Sequence, residues 1–233
     1  MKIKKLKFLE GAQKAQGLTV IIDVFRAYTT AAYLFSKKAN EIFIVSQIKT
    51  AKNLKKKLEA PILIGERQGI KLKEFDFNNS PFFISRENFF NKEIILSTSA
   101  GTKGIIAAEN ADKILTGSFV NLKATADYIK NQNPAVVSLV AMGNNGTTKA
   151  DEDELYAQEL EKLLKGKETL TQNQIKDKLR SPAGDRFFNK KTQSEMPKED
   201  FEYCLKINKF NFIIEAVKKE NDIYQLKRKA MDE

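Results

Sequence analysis

An α/β fold built on mostly parallel sheet flanked by helices is the architecture this sequence predicts, and three observations predict it. Apolar runs of strand length recur along the chain and are near-continuous rather than alternating, the pattern of strands buried on both faces. Helix-period segments separate one run from the next, as βα repetition requires. The chain has 233 residues and is 42% hydrophobic, enough for a sizeable core.

Taken in order, the strands are read at LTVIID (18–23), EIFIVS (41–46), PILIG (61–65), EIILST (93–98), KILTG (113–117) and AVVSLVA (135–141). Helical patterns lie between them, at about 25–37, 48–59, 102–110 and 121–131. The stretch 66–92 is too long for an ordinary connection, and long insertions of that kind are often functional. After residue 150 a helix is expected to about 165, followed by a polar region. A helix near 198–207 and strands FNFIIEAV and DIYQLKR close the chain. The whole reads as one domain over 1–233 with room for two α/β subdomains, about 1–92 and 93–233. The site is then expected in the cleft between them.

Composition narrows the function. No apolar run approaches the roughly 20 residues of a membrane span, and no apolar segment follows the basic N-terminus as in a secretory signal. A single cysteine, Cys204, leaves no internal disulfide framework and fits a reducing compartment, so a cytoplasmic location is expected. The formal net charge is +10. It reads either as solvated lysine-rich faces or as a surface for an anionic partner. No nucleic-acid motif accompanies it, so neither nucleic acid nor membrane is expected as a partner. Histidine is absent. That excludes Ser-His-Asp triads, imidazole bases and histidine metal ligands. Any metal must be held by oxygen, which points to Mg²⁺.

Ligands of parallel α/β sheets bind beyond the carboxyl ends of the strands. Five of those six ends carry small, polar or charged residues: Asp23 and Arg26; Glu66 and Arg67; STSAGTKG (97–104); Ser118 and Asn121; MGNNGTT (142–148) leading into DEDE (151–154). Asp23 is either an N-cap of the next helix or a metal or substrate group. Arg26, in a first helical turn, opposes the macrodipole and is tolerated best beside an anion. The glycine, serine and threonine loop at 97–104 is a phosphate-cradle candidate, though not a P-loop, and ordinary turn chemistry explains it equally. Acids at 151–154 are ordinary first-turn residues, yet some must face the preceding glycine turn. Asp23 with Glu152 or Asp153 would supply the one or two carboxylates a Mg²⁺ site needs. Cysteine-phosphatase and haloacid-dehalogenase signatures are both missing.

The same segments resemble, in order, the 2-phosphosulfolactate phosphatase family. IIDVFRAYTT resembles its D-V-[LF]-R-A-[ST]-T-T segment, and GERQGIKLKEFDFNNSP its G-E-R-x-G-x-K loop ending in N-S-P. STSAGTKG, GSFVN, MGNNG…DEDELYA and EDFEYCLKINKFNFI resemble four further family segments. The resemblance runs from about residue 17 to 217. Ala100 stands where the family usually has Asn, Tyr28 replaces a small residue, and Asn145 sits where an acid is common.

The resemblance implies a Mg²⁺-dependent phosphoric monoester hydrolase acting on (2R)-2-phospho-3-sulfolactate, a step toward coenzyme M where that pathway exists. It implies catalytic roles for Asp23, Arg26, Glu66 and Arg67, and metal binding by Asp23, Glu152 and Asp153. Substrate contacts are expected from Thr29, Asn79, Ser80, Thr98, Ser99, Gly101, Thr102, Lys103, Ser118 and Asn121. Lys71, Lys103 or Arg186 would read the sulfonate or carboxylate, and Asp23 would be the nucleophile of a covalent route. The alternatives are another small 2-phospho-acid as substrate, or a non-catalytic anion or nucleic-acid binder. A homodimer is the base-rate expectation.

Overall fold

The computed structural model describes residues 1–231. Ten strands form one sheet: β1 (Lys2–Lys7), β2 (Gly17–Ile22), β3 (Glu41–Val45), β4 (Ile62–Arg67), β5 (Ile70–Lys71), β6 (Glu93–Ser97), β7 (Ala111–Gly117), β8 (Val136–Ala141), β9 (Phe212–Glu220) and β10 (Ile223–Ala230). Their spatial order is β1-β8-β2-β7-β9-β10-β3-β6-β4-β5. Two parallel blocks, β1-β8-β2-β7 and β3-β6-β4, are joined by the antiparallel ribbon β9–β10. The blocks are not successive in sequence. β2 leaves its N-terminal neighbours β3 and β4 and pairs instead with β7 and β8.

Side chains on successive strand residues point to opposite faces, and the core divides accordingly. Ile21, Ile42, Ile44, Ile94, Leu96, Tyr224 and Leu226 belong to one apolar cluster that runs under both blocks and takes in the helix Ala27–Ser36. On the other face the blocks have separate clusters. Val20, Ile22, Val137 and Leu139 pack with Tyr156 and Phe201 under the first, and Phe43, Val45 and Ile95 with Leu54 under the second. A fully buried side chain of this kind contributes roughly 1.5–3 kcal/mol, so the shared face holds the blocks together as one body.

Three stretches differ from the sequence reading. Residues 2–13 form β1 and the short helix Phe8–Gln13. β1 is an edge strand whose lysines interrupt its apolar residues, a composition that blunts an edge and hides the strand from a hydrophobicity scan. The stretch 66–92, read as a long connection, is tied down. Gln68 and Gly69 make a positive-φ turn between β4 and β5, Phe77 bridges to Ile64, and Ser80 caps the helix Pro81–Arg86. The polar region after residue 165 holds the helix Gln172–Leu179, opened by a Thr171–Gln174 capping box, and the short helix Asp185–Phe188. Among the described residues no helix is long and apolar enough to cross a membrane.

Candidate active site

β2 carries its apolar run to Ile22 and stops, which leaves Asp23 buried where the sheet ends. One carboxylate oxygen accepts the Ala27 N–H at 3.3 Å, inside the next helix, and the other accepts the Gly101 N–H at 2.8 Å. The capping geometry and the reach toward another strand end therefore coexist. Gly101 is required by the closeness of this approach, since a Cβ there would lie 2.8 Å from Asp23 Oδ2.

Asp153 mirrors this arrangement from the helix Asp151–Leu164. Its oxygens accept the N–H groups of Val24 at 2.9 Å and Gly143 at 2.8 Å. Glu66, at the end of β4, accepts from Ser99 N at 2.7 Å, Gly69 N at 2.6 Å and Ser99 Oγ at 3.1 Å. Glu152 pairs with Arg186. All four acids line one cavity of about 260 Å³, together with Arg26, Arg186, Asn79 and Ser99. β2 and β8 meet β4 and β6 there, at their carboxyl ends, so the cavity spans the two blocks of the sheet.

Four carboxyl groups crowd this wall against two guanidiniums, and burial resists the ionisation of Asp23, Glu152 and Asp153. Burial pushes the Asp23 carboxyl up to about 6 from its usual 3.8, with the Ala27 and Gly101 N–H groups opposing and the charges of Glu66 and Glu152 adding. Burial also drives Asp153 well above the ordinary carboxylate range, helped by Glu152 and Asp23. Glu152 is raised by burial, and Arg186 holds it back. Crowded, dehydrated carboxylates with no histidine or thiolate among them are the donor set of a hard divalent cation. Among the described residues no three such side chains form a ready cage. A cation here would have to be held by one or two of these carboxylates and completed by water and ligand oxygens, as Mg²⁺ commonly is.

Several expected site residues are turned away from the cavity. Arg67 spends its guanidinium on the carbonyls of Glu66, Ser97 and Ser46 and on Ser97 Oγ, stitching β4 to its neighbours. Ser118 donates to Asn121 Oδ1, whose amide donates to Phe212 O. Thr98 and Thr102 bond each other, and Thr29 bonds Val24 O. Ser80 caps a helix and donates to Asp200. Lys71 Nζ is bonded to Phe75 O, and Lys103 is absent from the cavity wall. A hydroxyl, amide or guanidinium already saturated by the protein has little left for a ligand. Asn79 and Arg186 are different: Asn79 Oδ1 and Arg186 Nε are buried without partners.

Other wall residues were assigned no role of their own from the sequence: Phe25, Gln68, Gly69, Asn144, Phe187 and Met196. Behind the wall, Asp200 holds Arg26 through an ion pair of 2.9 Å. Glu195 accepts from Asn78 and from Lys71 N, and its carbonyl accepts from Arg26. Asp200 sits in the EDFEYC segment but looks like any first-turn acid. Glu195 and Met196 lie in a polar stretch with no periodicity to read.

The sequence profile of the 2-phosphosulpholactate phosphatase family matches residues 6–219. A protein of Bacillus subtilis (strain 168), named "probable 2-phosphosulfolactate phosphatase", is 29% identical over 214 residues, 91% of each chain. One of the same name from Thermoplasma volcanium is 30% identical over 203 residues, covering 86% of this chain and 89% of that one. Another, from Carboxydothermus hydrogenoformans, reaches 43% over 138 residues, 59% of this chain and 57% of its own.

Proposed function

This chain belongs to the 2-phosphosulpholactate phosphatase family, and we propose that it hydrolyses the phosphate ester of (2R)-2-phospho-3-sulfolactate to 3-sulfolactate and phosphate in a Mg²⁺-dependent reaction. The observation that carries this reading is the meeting of Asp23, Glu66, Glu152 and Asp153 with Arg26 and Arg186 around one cavity. That combination suits a phosphate ester bearing further acid groups. A wall of carboxylates alone would repel it, and a wall of arginines alone would bind it without a place for a metal.

The residues divide the work. Arg26 donates to Asp200, Glu195 O and Gly69 O. A guanidinium has five N–H donors, so two remain for phosphate oxygens. Asp23, with Glu152 or Asp153, would hold Mg²⁺, which when bound neutralises charge on the transferring phosphoryl group. Asn79 presents an unpartnered side-chain oxygen on the wall, suited to holding a water molecule that attacks phosphorus. Arg186, with its Nε unmatched inside the protein, would read the sulfonate or carboxylate. Phe25 and Phe187 flank its guanidinium, each with its ring centroid at 5.4 Å, and limit where it can swing.

The test is phosphate release measured with and without Mg²⁺ on phosphosulfolactate, phospholactate and phosphoglycolate. Release should depend on the metal, and kcat/KM should be highest with the sulfonated substrate. A preference for phosphoglycolate would move the assignment to another 2-phospho-acid. No release from any of the three would end the phosphatase reading.

A further inference from the structure

We infer that Asp200 is a positioning residue, one that fixes the Arg26 guanidinium in the orientation a bound phosphate meets; this rests on the phosphatase reading above. Arg26 and Asp200 form the most deeply buried ion pair of the described residues, their side chains 4% and 0% exposed. Asp200 Oδ2 accepts from Arg26 Nη1 at 2.9 Å, while Oδ1 accepts from Ser80 Oγ at 2.7 Å and Phe82 N at 3.0 Å. Both oxygens are thus committed, and to two other stretches of chain. The carboxylate cannot rotate without breaking bonds in a site closed to water, where a lost bond is costly.

The platform beneath it is equally fixed. Asp200 lies in the first turn of the helix Lys198–Cys204, whose Phe201 and Cys204 are buried in the core of the first sheet block. The two other acceptors of Arg26 are backbone carbonyls, Glu195 O at 2.7 Å and Gly69 O at 3.3 Å. They direct the guanidinium but carry no charge. Asp200 is therefore the anion that holds Arg26 in a dehydrated wall while its remaining donors stay free. A buried pair with no task can often be replaced by apolar residues without loss. This one has its cation on the cavity wall and its anion behind it, the arrangement of a ligand-contacting group and the residue that aims it.

The test is a double-mutant cycle on the full chain. Wild type, Asp200→Asn, Arg26→Ala and the double variant are compared in kcat, KM and the affinity for inorganic phosphate measured by calorimetry, with melting curves to establish folding. Asp200→Asn should weaken phosphate binding and raise KM by about 10- to 100-fold, the range for losing a group that orients a direct contact. In the Arg26→Ala background the same change should add nothing. Unchanged phosphate affinity and KM in a folded Asp200→Asn protein would overturn the inference, as would an equal loss in both backgrounds. If Asp200→Asn does not fold, Ser80→Ala decides, because it removes one of the bonds that hold the carboxylate. A raised KM supports the inference and an unaltered one refutes it. A wild type that binds phosphate yet hydrolyses no 2-phospho-acid would sink the phosphatase reading alone, with the binding cycle still judging Asp200. A wild type that binds no phosphate would overturn both.

Discussion

β2 and β7 lie side by side and in register, Ile22 opposite Gly117, and each ends in polar residues followed by a helix. In sequence the two ends look alike: Asp23 then Arg26, Ser118 then Asn121. In the fold they do opposite things. Asp23 takes two backbone N–H bonds and remains on the wall of the cavity. Ser118 and Asn121 bond each other and the carbonyl of Phe212, pinning β9 beside β7, and contribute nothing to that wall. The difference teaches that a polar strand end becomes a site only when its polar atoms are aimed at shared open space. Otherwise the same chemistry is spent on holding neighbouring chain segments.

The largest effect separating these two ends is expected from Asp23→Asn. The amide keeps the shape and an acceptor oxygen, but removes the charge that a metal and a phosphoryl group would answer to. Catalytic efficiency should fall by at least about 10²-fold, the scale on which a lost electrostatic contact to a transition state registers. The amide can accept only one of the Ala27 and Gly101 N–H bonds that the two carboxylate oxygens take, a loss of about 1–3 kcal/mol. Removing a carboxyl whose pKa is raised by burial, and which costs stability when ionised, offsets that loss, so the metal-free variant should melt close to wild type at pH 7.5. Steady-state phosphate release and a thermal melt on one preparation suffice. Retention of full activity would put Asp23 in the same structural class as Asn121.

The fold was legible to the extent that hydrophobicity carries it. The continuous runs at β2, β3, β6 and β8 mark buried parallel strands, and the rule that ligands gather at strand carboxyl ends leads to Asp23, Glu66 and the Glu152–Asp153 pair. Three kinds of feature were illegible for physical reasons. β1 is disguised by the lysines that protect its exposed edge. Segment 185–196 has no apolar period, because its contribution is made by isolated residues such as Glu195 and Met196. The third concerns hydrogen-bond partners. Nothing in GSFVN or STSAGTKG reveals that Asn121 is claimed by Phe212 O or that Thr98 and Thr102 satisfy each other, since the partners are distant in sequence or the bond depends on the turn formed. The interleaving of β2 with β7 and β8 belongs with these, because pairing order is set by tertiary packing.

A smaller effect sharpens the contrast through pH. The folded pKa of Asp23 is raised above its unfolded value to about 6, and Glu152 and Asp153 are raised in the same direction. The unfolded chain then releases protons that the folded one retains. Stability from these groups is fully present below about pH 4 and is lost as pH rises through 6 and beyond. The metal-free protein should therefore lose melting temperature between pH 5 and 7.5. Mg²⁺ should restore it more at pH 7.5 than at pH 5, because the metal binds deprotonated oxygens. The slope should shrink in Asp23→Asn. A metal-free melting temperature that climbs over this range would show that the carboxylates are not in fact burdened by burial.

The smallest effect, and the one that closes the comparison, belongs to the β7 end. Asn121→Ala removes the amide that donates to Phe212 O and the oxygen that receives Ser118 Oγ, leaving two buried polar groups unmatched. Stability should fall by about 1–3 kcal/mol, the cost of such orphaned groups, which in a chain of this size lowers the melting temperature by several degrees. Activity per folded molecule should stay within about twofold, because none of the lost contacts reaches the cavity. The pH slope of the melt should also match wild type, since no titrating group is removed. The β2 variant changes catalysis and leaves the melt standing, whereas the β7 variant changes the melt and leaves catalysis standing. If Asn121→Ala instead raised KM at an unaltered melting temperature, Ser118 and Asn121 would reach the substrate in a conformation of the β7 end other than this one, and the distinction between the two strand ends would fail.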